Sequence, residues 1–459
     1  MDSRRDGLLI IVFALFIIAP SLHGAIRDQV TEATLSNGLK VIILENHKVP
    51  QATFLTVYRV GSRNEETGKT GLSHMLEHMM FKGTDKVGSE EFSRIIQENG
   101  GEDNAFTSND FTGYFESLNS DRVQVVLDLE SDRMANLLLK EEDFVPERSV
   151  VMEERRLRTD DNPRAVLLEQ LEATAFQIQP YRWPTIGWME DIERFTITDL
   201  KRYHEKYYVP ANAFVVVVGD VDAKELVAKL ERSFGSIRSG TAPEQKRDLD
   251  GRQLGERRII VKKEAQLPSI VMAYHVPNIR EKDSYVLEVI ASLLAAGDSS
   301  RLHGSLVREK QLALGVDTDH SLLSRDPSLF SVSADPLPGK EPQEVERALD
   351  IEIDRLHKEL VSARELEKAK NQLEAAFVFG QDSLFFQAVM LAQYEVAAGW
   401  SLIDDYVPSI RTVSAEDVKR VAAKYLVPDN RTVATLIPLP PKEGKPVPIE
   451  PSGRDKFVR

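Results

Sequence analysis

Apolar runs of strand character and amphipathic runs of helical spacing take turns along this chain. Residues 33–44, split by Asn37-Gly38, predict two strands around a tight turn. Residues 52–60 predict a third strand. Within residues 71–84, Leu72, Met75, Leu76 and Met79 recur at i, i+3, i+4 and i+7, which predicts a helix with one apolar side. Residues 89–99 predict the next helix, with Ser89 as its cap, Phe92, Ile95 and Ile96 facing inward, and Gly100-Gly101 ending it. Residues 104–118 read as two strands about the polar turn Ser108-Asn109-Asp110. Helices are predicted over 121–139, over 147–158 with Pro146 in its first turn, over 165–176 and over 198–207. Residues 213–218 predict a buried strand.

The second half repeats this plan. Asp199-Leu200-Lys201-Arg202, Lys206-Tyr207, Val209-Pro210 and Asn212 return as Asp417-Val418-Lys419-Arg420, Lys424-Tyr425, Val427-Pro428 and Asn430, each shifted by 218 positions. Val57-Tyr58-Arg59-Val60 returns as Ala273-Tyr274-His275-Val276, shifted by 216. Two copies of one unit of about 200 residues explain this pattern. The expected fold is α+β: two homologous α/β-sandwich domains, each an antiparallel-rich sheet covered by helices. The expected boundaries are 26–238 and 257–445, with a polar linker at 239–256 and a tail at 446–459.

Composition narrows the function. The chain has 459 residues, too many for one ordinary core, with 42% hydrophobic and 29% charged residues. A net charge of −15 argues against a nucleic-acid partner. With no cysteine, only His, Asp and Glu remain as the usual metal ligands. At the N-terminus, Arg4 and Arg5 precede an apolar run over 8–19 and then Pro20. This predicts a signal peptide over 1–25, cleaved near Gly24 or Ala25, and export to a bacterial periplasm or an equivalent space; an uncleaved membrane anchor is the alternative.

The candidate chemistry lies on the helix within 71–84. His74, Glu77 and His78 fall opposite its apolar side, and the two imidazoles, one turn apart, can reach one metal ion. The repeat supplies a control. The shift of 216 puts Ile290 opposite His74 and Leu294 opposite His78, so the fold itself does not need histidine there. A catalytic zinc site takes three protein ligands, and a carboxylate from another element is the natural third. The helix at 147–158 offers Glu147, Glu153 and Glu154. Glu147 and Glu154 share a face, whereas Glu153 points about 100° from Glu154. The same run of charges also fits a solvated, salt-bridged surface.

The chain resembles the pitrilysin/insulinase family of zinc metallopeptidases, the inverzincins, whose signature is H-x-x-E-H. The resemblance rests on Val60 to Glu65, Gly71 to Thr84, Gly100-Gly101, Asn104 to Ser108, Glu147 to Glu154, Pro180 to Pro184 with Ile186-Gly187, and, in the second half, Ser299 to Leu302 and Leu306 to Lys310. It covers nearly the whole mature chain and is strongest to short, two-domain bacterial members. It implies one Zn2+ held by His74, His78 and Glu154, with Glu77 as the general base of peptide hydrolysis and Glu147 as an assisting acidic residue. It also implies that peptide substrates pair with an edge strand carrying Asn104, Ala105, Phe106 and Thr107. Active members often carry an Arg and, six or seven residues later, a Tyr that reach the substrate from the second half. Here Arg308 is present, but Leu314 stands where the Tyr is expected. That departure leads us to expect a heterodimer with a homologous subunit carrying the Arg/Tyr pair, with a homodimer as the alternative. The implied activity is an exported zinc endopeptidase acting on unfolded peptides or small proteins in a chamber closed by a second subunit. The sequence does not separate this from a processing peptidase with one maturation target; a non-catalytic family subunit is the remaining reading.

Overall fold

A computed structural model describes residues 25–245 and 247–440. The expected signal peptide, all but its last residue, and the expected tail lie outside the described residues. The first sheet contains β1 (Val30–Thr34), β2 (Lys40–Glu45), β3 (Gln51–Tyr58), β4 (Glu102–Thr107), β5 (Thr112–Asn119) and β6 (Ala213–Gly219), in the order β1-β2-β6-β3-β5-β4. The second contains β7 (Arg257–Glu264), β8 (Ser269–Val276), β9 (Ala313–His320), β10 (Ser328–Pro336) and β11 (Arg431–Leu439), in the order β7-β11-β8-β10-β9. Without β1, the two orders are the same, and each contains one parallel pair, β2 with β6 and β7 with β11. The architecture is the α+β tandem that the repeat predicts.

The registers fix the two shifts. Tyr58 faces Ala213 and Tyr274 faces Arg431, which gives 216 for the first member of each pair and 218 for the second. The helices Ile197–Tyr207 and Ala415–Tyr425 begin alike: Thr196 and Ser414 each accept from the amide three residues on, and Asp199 and Asp417 answer with a reciprocal bond.

Three sequence-based boundaries change. Ser89 does not cap the helix Glu91–Glu98; the chain turns at Glu90, whose φ is 65°, and the Glu91 carboxylate takes the Gly88 amide instead. The helix expected from Glu147 begins six residues earlier, as Glu141–Arg155, so Pro146 lies in its interior. Three acidic residues, Glu141, Glu142 and Asp143, favour that earlier start at the positive end of the helix dipole. The carbonyl that Pro146 leaves without a helical donor belongs to exposed Glu142. Beyond Arg155 the chain makes a π-helical turn over Arg156–Asp160.

Each half covers the other's sheet. The helix Pro163–Ala175, capped by Asn162, lays Leu167 and Leu171 on Val271, Ala273, Ala434 and Leu436 of the second sheet. The helix Leu384–Ala397 packs in return on β3 and β6, in one apolar cluster that joins Leu55, Val57, Phe214 and Val216 to Ala388 and Ala392. The opposite face of the first sheet buries Val41, Ile43, Phe54, Val215 and Val217 against helices of its own half.

A buried ionic cluster closes the junction. Arg63 pairs with Asp326 and lies 3.5 Å from Asp110. Tyr181 donates to Asp110 at 2.7 Å and accepts from the Asp326 amide at 3.1 Å, and the Arg325 amide donates to Asp110 at 3.0 Å. Arg247 reaches Asp326 at 2.9 Å from the segment between the halves. Removing one partner of a buried pair strands the other charge. Asp326→Ala should therefore lower unfolding free energy by about 3 kcal/mol in urea titration; an unchanged midpoint would show that this cluster does not hold the halves together.

Candidate metal centre

The helix Leu72–Met79 is buried at all eight positions. Leu72, Met75, Leu76 and Met79 enter the core of the first half, as their spacing predicts. Gly71 starts the helix with φ 93°, and a Cβ there would stand 2.6 Å from the Ile186 carbonyl oxygen. Gly187 makes the reciprocal close approach, with φ 90° and 2.5 Å from a built Cβ to the Thr70 carbonyl oxygen. Only glycine suits both demands. The first turn is secured by Glu65, which accepts the Gly71 and Ser73 amides at 2.7 Å each, one on either oxygen. Burial pushes this carboxyl up to about 8, against the pull of the two amides.

From that seat the polar residues converge. The Nε2 atoms of His78 and His74 stand 3.2 Å and 3.7 Å from the same Glu154 oxygen, Oε2. One ligand atom from each of the three residues falls within 4.8 Å of the others. Two neutral imidazoles and one carboxylate, drawn together from two helices, form a donor set suited to zinc. Glu154 turns its other oxygen, Oε1, to Arg158 at 3.1 Å. Glu153 points outward to Arg156, with its side chain 58% exposed, so it is not a ligand.

Glu147 lies two turns before Glu154 on the same helix face. Its Oε1 is 2.7 Å from His78 Nδ1 and its Oε2 is 2.6 Å from Lys82 Nζ. A carboxylate accepts, so Nδ1 carries the proton and Nε2 turns its lone pair toward the ligand cluster. Burial raises the Glu147 carboxyl, but the bonds from His78 and Lys82 outweigh it and hold the group below the usual carboxylate range. Glu77 is oriented from the sheet, where the Thr107 hydroxyl donates to its Oε2 at 2.6 Å.

A cavity of about 480 Å³ opens on this cluster, between β4 and the helix Pro163–Ala175, with Gln393 of the second half in its wall. His74, Glu77, Glu154, Ala105, Phe106 and Thr107 line it. Asn104 and Arg308 do not line it. Asn104 accepts the Ala105 amide at 2.8 Å, and Arg308 is exposed on a π-helical segment, His303–Glu309. Leu314 is half exposed on β9, the outer strand of the second sheet.

Sequence reasoning overlooked three residues. Arg158 lies four residues after Glu154, the group it pairs with, a spacing that could have pointed to it, whereas Lys82 reaches Glu147 from beyond the end of the histidine helix and had no local signal. Glu65 had no such signal, because the loop that returns it to the helix start is not periodic.

Residues 40–187 match the family described as Insulinase (Peptidase family M16), and residues 194–373 match that described as Peptidase M16 inactive domain. A zinc protease of Helicobacter pylori, PqqE, is 35% identical over 433 residues, covering 92% of this chain and 96% of the relative. The chain belongs to the M16 insulinase family of zinc peptidases. An uncharacterized zinc protease of Rickettsia felis is 27% identical, covering 87% of this chain and 95% of its own. The crystal structure of a protease from Helicobacter pylori shares 34% identity at a TM-score of 0.84, covering 89% of this chain and 99% of that one. Zinc is accordingly the cofactor of this M16 member, and the donor set of His74, His78 and Glu154 fits it.

Two substitutions separate the assignments. Glu147→Ala should weaken zinc binding about 10- to 100-fold in chelator competition, since it removes the acceptor that orients His78. Glu153→Gln should leave zinc affinity within about twofold of wild type; a large loss there would overturn Glu154 as the third ligand.

Proposed function

We propose that this chain is an exported zinc endopeptidase that hydrolyses unfolded peptides or small proteins. The observation that carries the reading is Glu77, held by Thr107 at the mouth of the ligand cluster and facing the cavity beside His74 and Glu154. His74, His78 and Glu154 would hold the zinc, which supplies Lewis-acid polarisation of a carbonyl and acidification of a water. Glu77 takes the proton of the attacking water and passes it to the leaving amine. Thr107 keeps that carboxylate aimed, and Glu147 keeps His78 in the ligating tautomer.

The substrate reading follows from the edge. Among the described residues β4 pairs only with β5, so its outer side is available to an added strand. A peptide laid there bonds through its backbone, which tolerates many sequences. Ala105, Phe106 and Thr107 line the cavity beneath it. Asn104 belongs to the same strand and would bind the peptide at its upstream end.

Export rests on the sequence at 1–25, and a bacterial periplasm is the compartment it suggests. A second subunit completes the chamber in our reading. Arg308 and Leu314 lie outside the zinc cavity of their own chain, which supports a role at another chain's site. A homologue carrying the Arg/Tyr pair is the partner we favour over a second copy.

Glu77→Gln should retain zinc and lose about 10²- to 10⁴-fold in peptide cleavage. Metal content and a fluorogenic peptide assay check both; surviving cleavage would remove Glu77 as the base. Full activity of the purified chain, with no homologue added, would refute the heterodimer.

A further inference from the structure

Among the described residues the first sheet has one strand without a counterpart in the second, β1, and that strand is tied to the other half. β1 pairs with β2 along its whole length. Its Glu32 accepts from the Trp400 indole and lies 3.1 Å from Lys40, which in turn reaches Glu395 at 2.9 Å. The single helical turn before it, Ile26–Gln29, packs on the segment Trp400–Asp405 of the second half. The repeat does not call for these contacts, since β1 stands outside the plan that the two halves share.

Asp404 is the centre of this attachment. Its Oδ1 takes the Ile26 amide at 2.9 Å and its Oδ2 takes the Arg27 amide at 2.8 Å. The Ile26 side chain is half-buried against the apolar cluster that joins the halves, so both its nitrogen and its side chain are placed. Arg27 donates to the Ser401 carbonyl at 2.7 Å and stands 3.7 Å from Asp405. Among the described residues no Lys, Arg or His side chain pairs with Asp404, which is itself half-buried. Ile26 is also the residue that begins the chain once a signal peptide over 1–25 is removed. Ala25, exposed, is the small residue that such a cut leaves on the departing side.

We infer that processing on export cuts the Ala25–Ile26 bond and that Asp404 binds the ammonium so released. The cut is a hydrolysis by a signal-cleaving endopeptidase. The oxygen of water stays with Ala25, which departs as a carboxylate, and both its protons pass to the Ile26 nitrogen, which becomes an ammonium. In the precursor Asp404 accepts from a neutral amide; afterwards the same nitrogen carries a charge. A charge-assisted hydrogen bond is roughly twice as strong as a neutral one. The cut gives up the bond from the Asp28 amide to the Ala25 carbonyl, at 3.0 Å. The N-terminus thereby becomes a strap that joins β1 to the second half and tightens only in the processed chain. This rests on the export reading above.

The test expresses the full-length chain, with its own N-terminus, in a bacterial host. Mass spectrometry of the exported fraction should find Ile26 first. The recovered native protein is then labelled with an amine-reactive ester across a range of pH, and the labelled N-terminal peptide is quantified. An ammonium held by a carboxylate gives up its proton less readily, whereas burial alone acts in the opposite direction. At pH 7 the α-amine should therefore label at least about tenfold more slowly than the same amine in urea, with its profile moved to higher pH. In Asp404→Asn the native profile should return to that seen in urea. Should this variant fail to fold, the native and urea profiles of the wild type decide alone. A native α-amine that titrates in the ordinary range or below it overturns the proposal, as does an Asp404→Asn profile equal to wild type. An exported chain that begins at another residue overturns it while the export reading stands; a chain that stays uncut inside the cell overturns both.

Discussion

Burying an eight-residue helix that carries two imidazoles and a carboxylate is the demand the rest of the site answers. Ionisable groups withdrawn from water are tolerated only with partners. Each one here has a partner drawn from a different element. Glu154 and Glu147 come from the helix Glu141–Arg155, Thr107 from the last position of β4, and Glu65 from the loop before the helix. The helix cannot shift without breaking all four connections. Its rigidity therefore comes from polar contacts set into an apolar core, and a ligand cluster needs that fixed geometry.

The repeat explains how one fold serves two ends. In the second half the equivalent helix, Asp283–Ala295, buries Ile290 and Leu294 at the places of the histidines. That half is freed from metal chemistry and supplies walls instead. Gln393 reaches the zinc cavity, and β9, β10 and two helices close the cavity beside it. Duplication gave one copy that holds the ligand cluster and another that shapes the space around it.

Much of this was legible in the sequence. Strand order is hidden there, but the shift of 218 from Asp199 to Asp417 reproduces itself in two helices with the same caps. The histidine helix was readable because its apolar residues and its ligands fall on opposite sides. Glu154 was separable from Glu153 because one residue turns a helix by about 100°. What escaped was non-local or conformational. Pro146 suggested a helix start, yet three acidic residues upstream carried the helix past it. Ser89 looked like a cap, but the left-handed turn at Glu90 displaced it. The ionic cluster of Arg63, Asp110, Tyr181 and Asp326 joins residues far apart in the chain, and no local pattern announces it.

The exchanged helices have a consequence for how the chain reaches this state. During synthesis the first sheet is complete once β6 has emerged, but the helix that covers its inner face, Leu384–Ala397, comes much later. Until then Leu55, Val57, Phe214 and Val216 form an apolar face without its cover. The halves thus mature as one cooperative unit, and the interval between β6 and that helix is when the chain most needs a chaperone's protection.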